Sequence, residues 1–164
     1  YWTLQKAQTL ADSCDGFVIA CHSDPAVGAV SELTGKPTCG IGYASLAAAA
    51  KQGGSVGILV ISEKSAPRKL RMIRRYGFNG KFTSYATGYS ESMKEGEVID
   101  CLMSAAQSAI ADGVKTLVLG CAGMGLAAPA LRDSLDIPVI DGTEEALRLL
   151  LALNENKKEE LKPA

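Results

Sequence analysis

Two stretches decide the reading of this chain: DGFVIACHSDPAVGAVSELTGKPTCGIGYASLAAAA from Asp15 to Ala50, and GVKTLVLGCAGMGLAAPALRDSLDIPVIDGTEEALRLL from Gly113 to Leu150. Laid over each other they share one plan: an apolar strand, a small residue, a cysteine, a helix, a Pro-led strand, a glycine and a second helix. Cys21 stands 21 positions before Gly42 and Cys121 stands 21 before Gly142, while the prolines Pro37 and Pro138 follow their cysteines by 16 and 17. Such self-similarity reads as an internal duplication. Outside these stretches, residues 57–61 form another near-continuous apolar run, as 17–20, 116–119 and 137–140 do within them. Runs that do not alternate are buried on both faces, as in parallel sheets. Between them, helical patterns are predicted over 1–13, 25–33, 44–51, 67–76, 92–112, 127–135 and 143–153. Strands alternating with helices give an α/β fold with a mostly parallel sheet. The duplication divides it into two similar lobes with a site in the cleft between them. The expected units are residues 1–54, 55–142 and a C-terminal helix with a charged tail over 143–164, the run from Lys157 fraying.

Composition narrows the functions. The chain has 164 residues, enough for a workable core, and its 17 Lys+Arg against 18 Asp+Glu give a net charge of −1. That balance exerts no general pull on nucleic acid or acidic lipid, and no apolar run reaches the roughly 18 residues of a membrane span. The expected protein is soluble and cytoplasmic, without nucleic-acid or membrane partners. Its five cysteines, Cys14, Cys21, Cys39, Cys101 and Cys121, are an odd number with no C-x-x-C pair, and His22 is the single histidine. Neither a fully paired disulfide framework nor a zinc site fits that pattern. Gly40-x-Gly42 and Gly53-Gly54 are weak phosphate signals, since neither a Walker loop nor a complete G-x-G-x-x-G is present. No metal and no nucleotide cofactor is expected.

Ligands of parallel α/β sheets bind beyond the carboxyl ends of the strands. Cys21 and Cys121 each stand just there, before a predicted helix, in a setting of backbone N–H groups and positive helix ends that favours a thiolate. Two thiols facing one cleft suit the inversion of a carbon acid, in which one base takes a proton from one face and an acid returns a proton to the other. N–H groups around Ala122, Gly123 and Gly125 are candidates to hold the developing enolate oxygen. His22 adjoins Cys21, but neighbours in an extended segment point to opposite faces, which argues against a Cys–His hydrolase pair. Asp24-Pro25 reads as the N-cap and first residue of a helix. Asp141 reads as another N-cap, with Glu144 placed for a capping box. Residues 64–81 hold seven of the 17 basic residues. With Leu70, Ile73 and Tyr76 at helical spacing, they read as an amphipathic helix with a solvated basic face.

The segments ACHSDP (20–25), PTCGIGYA (37–44), LGCAGM (119–124) and PVIDG (138–142) resemble the hydantoin and allantoin racemase branch of the aspartate/glutamate racemase superfamily. The resemblance covers nearly the whole chain. It implies a cofactor-independent racemase of 5-substituted hydantoins or allantoin, with Cys21 and Cys121 as its two bases. The implied substrate pocket contains His22, Ser23, Gly42, Tyr43, Ser62, Ala122 and Gly123. Where the superfamily's amino-acid racemases carry Asn-Thr and Thr-His after the two cysteines, this chain has His22-Ser23 and Ala122-Gly123, which favours a neutral cyclic ureide over a free amino acid. The family also commonly carries Glu at the place of Tyr43 and a Thr-Thr pair where Val60, Ile61 and Ser62 stand. It usually opens with a strand ending in an Asn-Pro-Asn loop, and this chain begins after that point, so the first lobe is expected to lack its opening strand. An aspartate/glutamate-type racemase, a related isomerase or decarboxylase, and an inactive ligand-binding remnant are the alternatives. The expected partner is a small-molecule substrate, and the expected assembly a homo-oligomer.

Overall fold

The computed structural model describes residues 1–160, and side chains through Asn154. It contains two parallel sheets. The smaller pairs β1 (Phe17–Ile19) with β2 (Thr38–Gly40), and the larger has the order β4 (Lys81–Ala86), β3 (Ser55–Val60), β5 (Thr116–Leu119), β6 (Val139–Asp141). The helices are α1 (Trp2–Leu10), α2 (Val27–Thr34), α3 (Ile41–Gln52), α4 (Ala66–Arg75), α5 (Glu95–Ala111), α6 (Ala128–Ser134) and α7 (Gly142–Glu160). The charged run from Lys157, expected to fray, continues α7 to Glu160, and residues 161–164 lie outside the described residues.

The larger sheet is apolar on both faces because both are covered. Leu59, Leu117, Leu119 and Val139 face α5 and α6, through Leu102, Ala106, Ala109 and Leu131. Val56, Ile58, Val60, Val118 and Ile140 face Leu46 and Ala49 of α3 and Met72 and Ile73 of α4. This two-sided burial is why β3 and β5 read as continuous apolar runs. The edge strand β4 did not emerge from the sequence. None of its positions is fully buried, and its residues KFTSYA include Lys81, Thr83 and Ser84, so no apolar run marks it.

Two helices change places. α3 follows β2 in the chain but packs on the larger sheet, whereas α7 follows β6 and packs on the smaller one, where Val18 and Cys39 meet Ala146 and Leu149. The expected units 1–54, 55–142 and 143–164 follow the chain; in the packing α3 of the first lies on the larger sheet and α7, which makes up the third, lies on the smaller one. α3 and α7 also pack against each other, and a side chain at Gly142 would run into the carbonyl of Ile41. The other face of the smaller sheet is covered by α1 and α2, through Ala7, Ile19 and Val30.

One cap differs from expectation. α2 begins at Val27 with Ala26 as its N-cap, and Asp24 and Ala26 both carry positive φ, 50° and 61°. Asp24 instead reaches across to α3, where Oδ1 accepts the Gly42 N–H at 2.8 Å and Oδ2 the Tyr43 N–H at 2.6 Å. The first turn of a helix carries unpaired N–H groups, and here a carboxylate from another loop satisfies them. Asp141 does cap its own helix, accepting the Thr143 N–H at 2.8 Å. Glu144 leaves the capping box unformed and pairs with Arg132 and Arg148.

Candidate active site

Cys21 is the second residue beyond the end of β1, and Cys121 the second beyond the end of β5. Each opens a tight turn through its own carbonyl: Cys21 accepts the Asp24 N–H at 2.9 Å, and Cys121 accepts the Met124 N–H at 3.1 Å. Gly120 lets β5 end close to β3, since its N–H donates to the Leu59 carbonyl at 2.8 Å and a Cβ would collide with that oxygen. The two thiols line one cavity of about 340 Å³, together with His22 and Ser23 on one side and Gly120 and Ala122 on the other. Ile61 and Ser65 border it from the loop after β3, Arg68 and Lys69 from α4, and Glu91 from the loop after β4.

Of the expected pocket residues, His22, Ser23 and Ala122 meet the two cysteines there, and Gly42, Tyr43, Ser62 and Gly123 are not among the lining residues. Gly42 is buried beneath the Asp24 carboxylate. Tyr43 stacks edge-on against Tyr76 at 5.3 Å and borders a separate cavity of about 360 Å³ with Cys39, Leu149 and Leu153. Ser62 is half-buried and starts the short turn that brings Ser65 to the cavity. The space beside Gly123 is filled by the Tyr89 hydroxyl, and that beside Gly125 by the Asp141 carboxylate, so these glycines admit protein groups.

The His22 ring is 2% exposed and its Nε2 lies 3.1 Å from Ser45 Oγ. Burial, reinforced by the nearby Lys69 charge, holds its pKa down to about 3, so the ring stays neutral. No hydrogen bond joins it to Cys21 among the described residues, which removes the geometry a Cys–His nucleophile needs.

The largest departure from the sequence reading is Lys69. It is only 5% exposed, and its Nζ donates to the Gly120 carbonyl at 2.9 Å. The inner face of α4 is formed by Lys69, Met72 and Ile73, whereas Leu70 is 41% exposed. The basic face is therefore not wholly solvated. Positions 69, 72, 73 and 76 form an i, i+3, i+4, i+7 set, the signal that would have placed Lys69 inward. Burial lowers its pKa to about 8, although the two nearby cysteines pull the other way.

This has a consequence for stability. Between pH 8 and 10.5 the unfolded chain binds a proton at this lysine that the folded one does not, so its burden is full below pH 8 and fades as pH rises. The burden is about 3 kcal/mol at pH 7, offset in a Lys69→Met variant by about 1 kcal/mol for the unpaired Gly120 carbonyl. Lys69→Met is expected to raise Tm by about 4 °C at pH 7 and by less at pH 10, as thermal melts at both pH values will show. An unchanged or lower Tm at pH 7 would contradict it.

Among the described residues, no group of three or more His, Cys, Asp or Glu side chains is arranged to hold a metal ion, and no helix is long and apolar enough to cross a membrane.

The model of the Asp/Glu/Hydantoin racemase family matches residues 1–150. A hydantoin racemase of Paenarthrobacter aurescens is 33% identical over 144 residues, covering 85% of this chain and 61% of that protein. A hydantoin racemase of Rhizobium meliloti is 28% identical over 150 residues, covering 87% and 61%. The chain thus spans about three fifths of the length of these relatives. Among solved structures, an allantoin racemase from Klebsiella pneumoniae superposes with a TM-score of 0.79 at 24% identity, over 94% of this chain and 66% of that one. That likeness concerns the fold. Together with the match over residues 1–150, these findings establish that the chain belongs to the Asp/Glu/Hydantoin racemase family.

Proposed function

We propose that the chain is a cofactor-independent racemase of cyclic ureides, either 5-substituted hydantoins or allantoin, in which Cys21 and Cys121 exchange the roles of general base and general acid. The observation that carries this reading is the shared cavity: both thiols line it, each from the second position past a parallel strand. The matched spacings, the two cysteine turns and the exchanged helices α3 and α7 support a duplicated architecture, with the site between its lobes.

In the proposed step one cysteine, as the thiolate, removes the hydrogen from C5 of the ring and becomes a thiol. The electron pair left on carbon spreads onto the adjacent carbonyl oxygen as an enolate. The other cysteine then gives its proton to the opposite face of C5 and becomes the thiolate. One proton leaves and one arrives, so the single negative charge is conserved and only its position changes. A free amino acid is the second reading, favoured by one observation: Arg68 and Lys69 both border the cavity, where a carboxylate would meet them.

The test follows the optical rotation of single enantiomers of a 5-alkylhydantoin, of allantoin, and of aspartate and glutamate. The Cys21→Ser, Cys121→Ser double variant serves as the blank for spontaneous racemisation. Decay of the ureides above that blank is expected. Decay of the amino acids alone would move the assignment to them, and no decay with any substrate would overturn the racemase reading.

A further inference from the structure

Resting on the racemase reading above, we infer that the Lys69 ammonium is the fixed counter-charge of the proton relay, held so that the ionised thiol, whichever it is, and the enolate between the two all face the same cation. Lys69 acts through the two sulfurs and is a positioning residue.

The geometry gives this lysine little else to do. Its ammonium is buried, yet among the described residues no carboxylate lies within ion-pair distance of it, and its one described hydrogen bond goes to the carbonyl of Gly120. An ammonium carries three donors, so two remain for the cavity it borders. Burying an unpaired charge is costly, and a nearby opposite charge offsets part of that cost. Both thiols attract Lys69 electrostatically when ionised, and both line its cavity. The backbone anchor ties the ammonium to the residue directly before Cys121, and Cys21 lines the same cavity.

The neighbouring charges leave this role to Lys69. His22 is neutral. The Asp24 carboxylate is taken up by Gly42, Tyr43 and the Tyr76 hydroxyl. Arg68 and Glu91 border the same cavity with opposite charges from α4 and from the loop after β4, and Arg68 is exposed. A relay that carries one negative charge, from sulfur to enolate to the second sulfur, therefore runs beside one buried positive charge. The pair stays neutral throughout, and a single cation assists both directions.

The test reads the thiols directly, without substrate. Wild type, Lys69→Gln, Lys69→Met and Lys69→Arg are treated with iodoacetamide, a neutral reagent that reports thiolate, and alkylation is followed peptide by peptide. Lys69→Gln keeps a donor for the Gly120 carbonyl and removes only the charge. At pH 7 alkylation of both Cys21 and Cys121 is expected to slow about tenfold in the Gln and Met variants, the effect of one nearby charge, with Cys14 unchanged. Lys69→Arg is expected to recover most of the rate. Above pH 8 wild type and Lys69→Gln should converge, because Lys69 itself loses its proton. Equal alkylation of both cysteines in wild type and Lys69→Gln at pH 7 overturns the inference, as does slowing at one cysteine alone. Racemisation measured in parallel separates the two readings. A wild type that racemises while Lys69→Gln alkylates normally defeats only the lysine's role, and a wild type that racemises nothing defeats the proposed function whatever the alkylation shows.

Discussion

Replacing Cys21 alone by serine is expected to lower interconversion of hydantoin enantiomers about 10³-fold, within the range of a lost general acid or base, while leaving hydrogen exchange on one enantiomer. In the proposed relay the remaining Cys121 still faces one side of C5. It can remove that hydrogen, trade it with solvent and return a deuteron to the same face, so one enantiomer gains deuterium without inverting. A serine hydroxyl is too weak an acid to supply the missing alkoxide base near neutral pH and too distant in acidity to replace the thiol. Cys121→Ser should show the mirror image, labelling the other enantiomer. Chiral chromatography with mass detection in deuterium oxide reads both quantities at once. Two variants that label opposite enantiomers would establish two bases on opposite faces. One silent variant beside one inactive variant would instead indicate a single essential thiol, as in the decarboxylase alternative, and would contradict the relay.

That Cys21 and Cys121 meet at one cavity was legible because two independent rules converged on them. Position past a strand end marked each one, and the repeat marked them as a pair. Burial on both faces likewise made β3 and β5 legible, since Val56 to Val60 offers no polar face to read. The same logic explains β4, whose outer edge meets no further strand among the described residues and whose residues therefore need not be apolar. Lys69 was missed for a different reason. Drawing the apolar stripe of α4 through Leu70 instead of Met72 rotates the helix, and a lysine between Arg68 and Leu70 then reads as one more solvated charge. Only the packing of the helix over the cavity reveals that this charge is turned inward. Glu91 and Tyr89 reach the site's surroundings from the loop after β4, and loop positions carry no periodicity from which their direction could be read.

The glycine pair Gly40-x-Gly42 shows how a weak motif acquires a physical meaning. In the sequence it is a weak phosphate signal; in the fold it is an anion cradle whose anion belongs to the chain. A side chain at Gly40 would overlap the Asp24 carboxylate, and one at Gly42 would overlap both that carboxylate and the His22 carbonyl. Asp24 is 4% exposed and accepts the Gly42 N–H at 2.8 Å, the Tyr43 N–H at 2.6 Å and the Tyr76 hydroxyl at 2.7 Å. It thereby ties the turn after Cys21 to the start of α3 and to the end of α4, the helix that carries Lys69. Burial and this bond together hold the Tyr76 hydroxyl protonated, its pKa pushed up to about 12. Asp24→Ala leaves the Gly42 and Tyr43 N–H groups and the Tyr76 hydroxyl without their acceptor. The expected loss is about 4 kcal/mol, a fall in Tm of about 10 °C for a chain of this size. Gly42→Ala, which leaves the carboxylate but occupies its place, should cost a similar amount by a separate route. Combining the two should cost much less than their sum, since both act on one contact. Thermal unfolding of the three variants measures this, and full additivity would show that the carboxylate and the glycine do not share one clasp. Asp24→Asn should recover part of the loss, because its oxygen accepts one of the two N–H groups while its amide nitrogen must face the other.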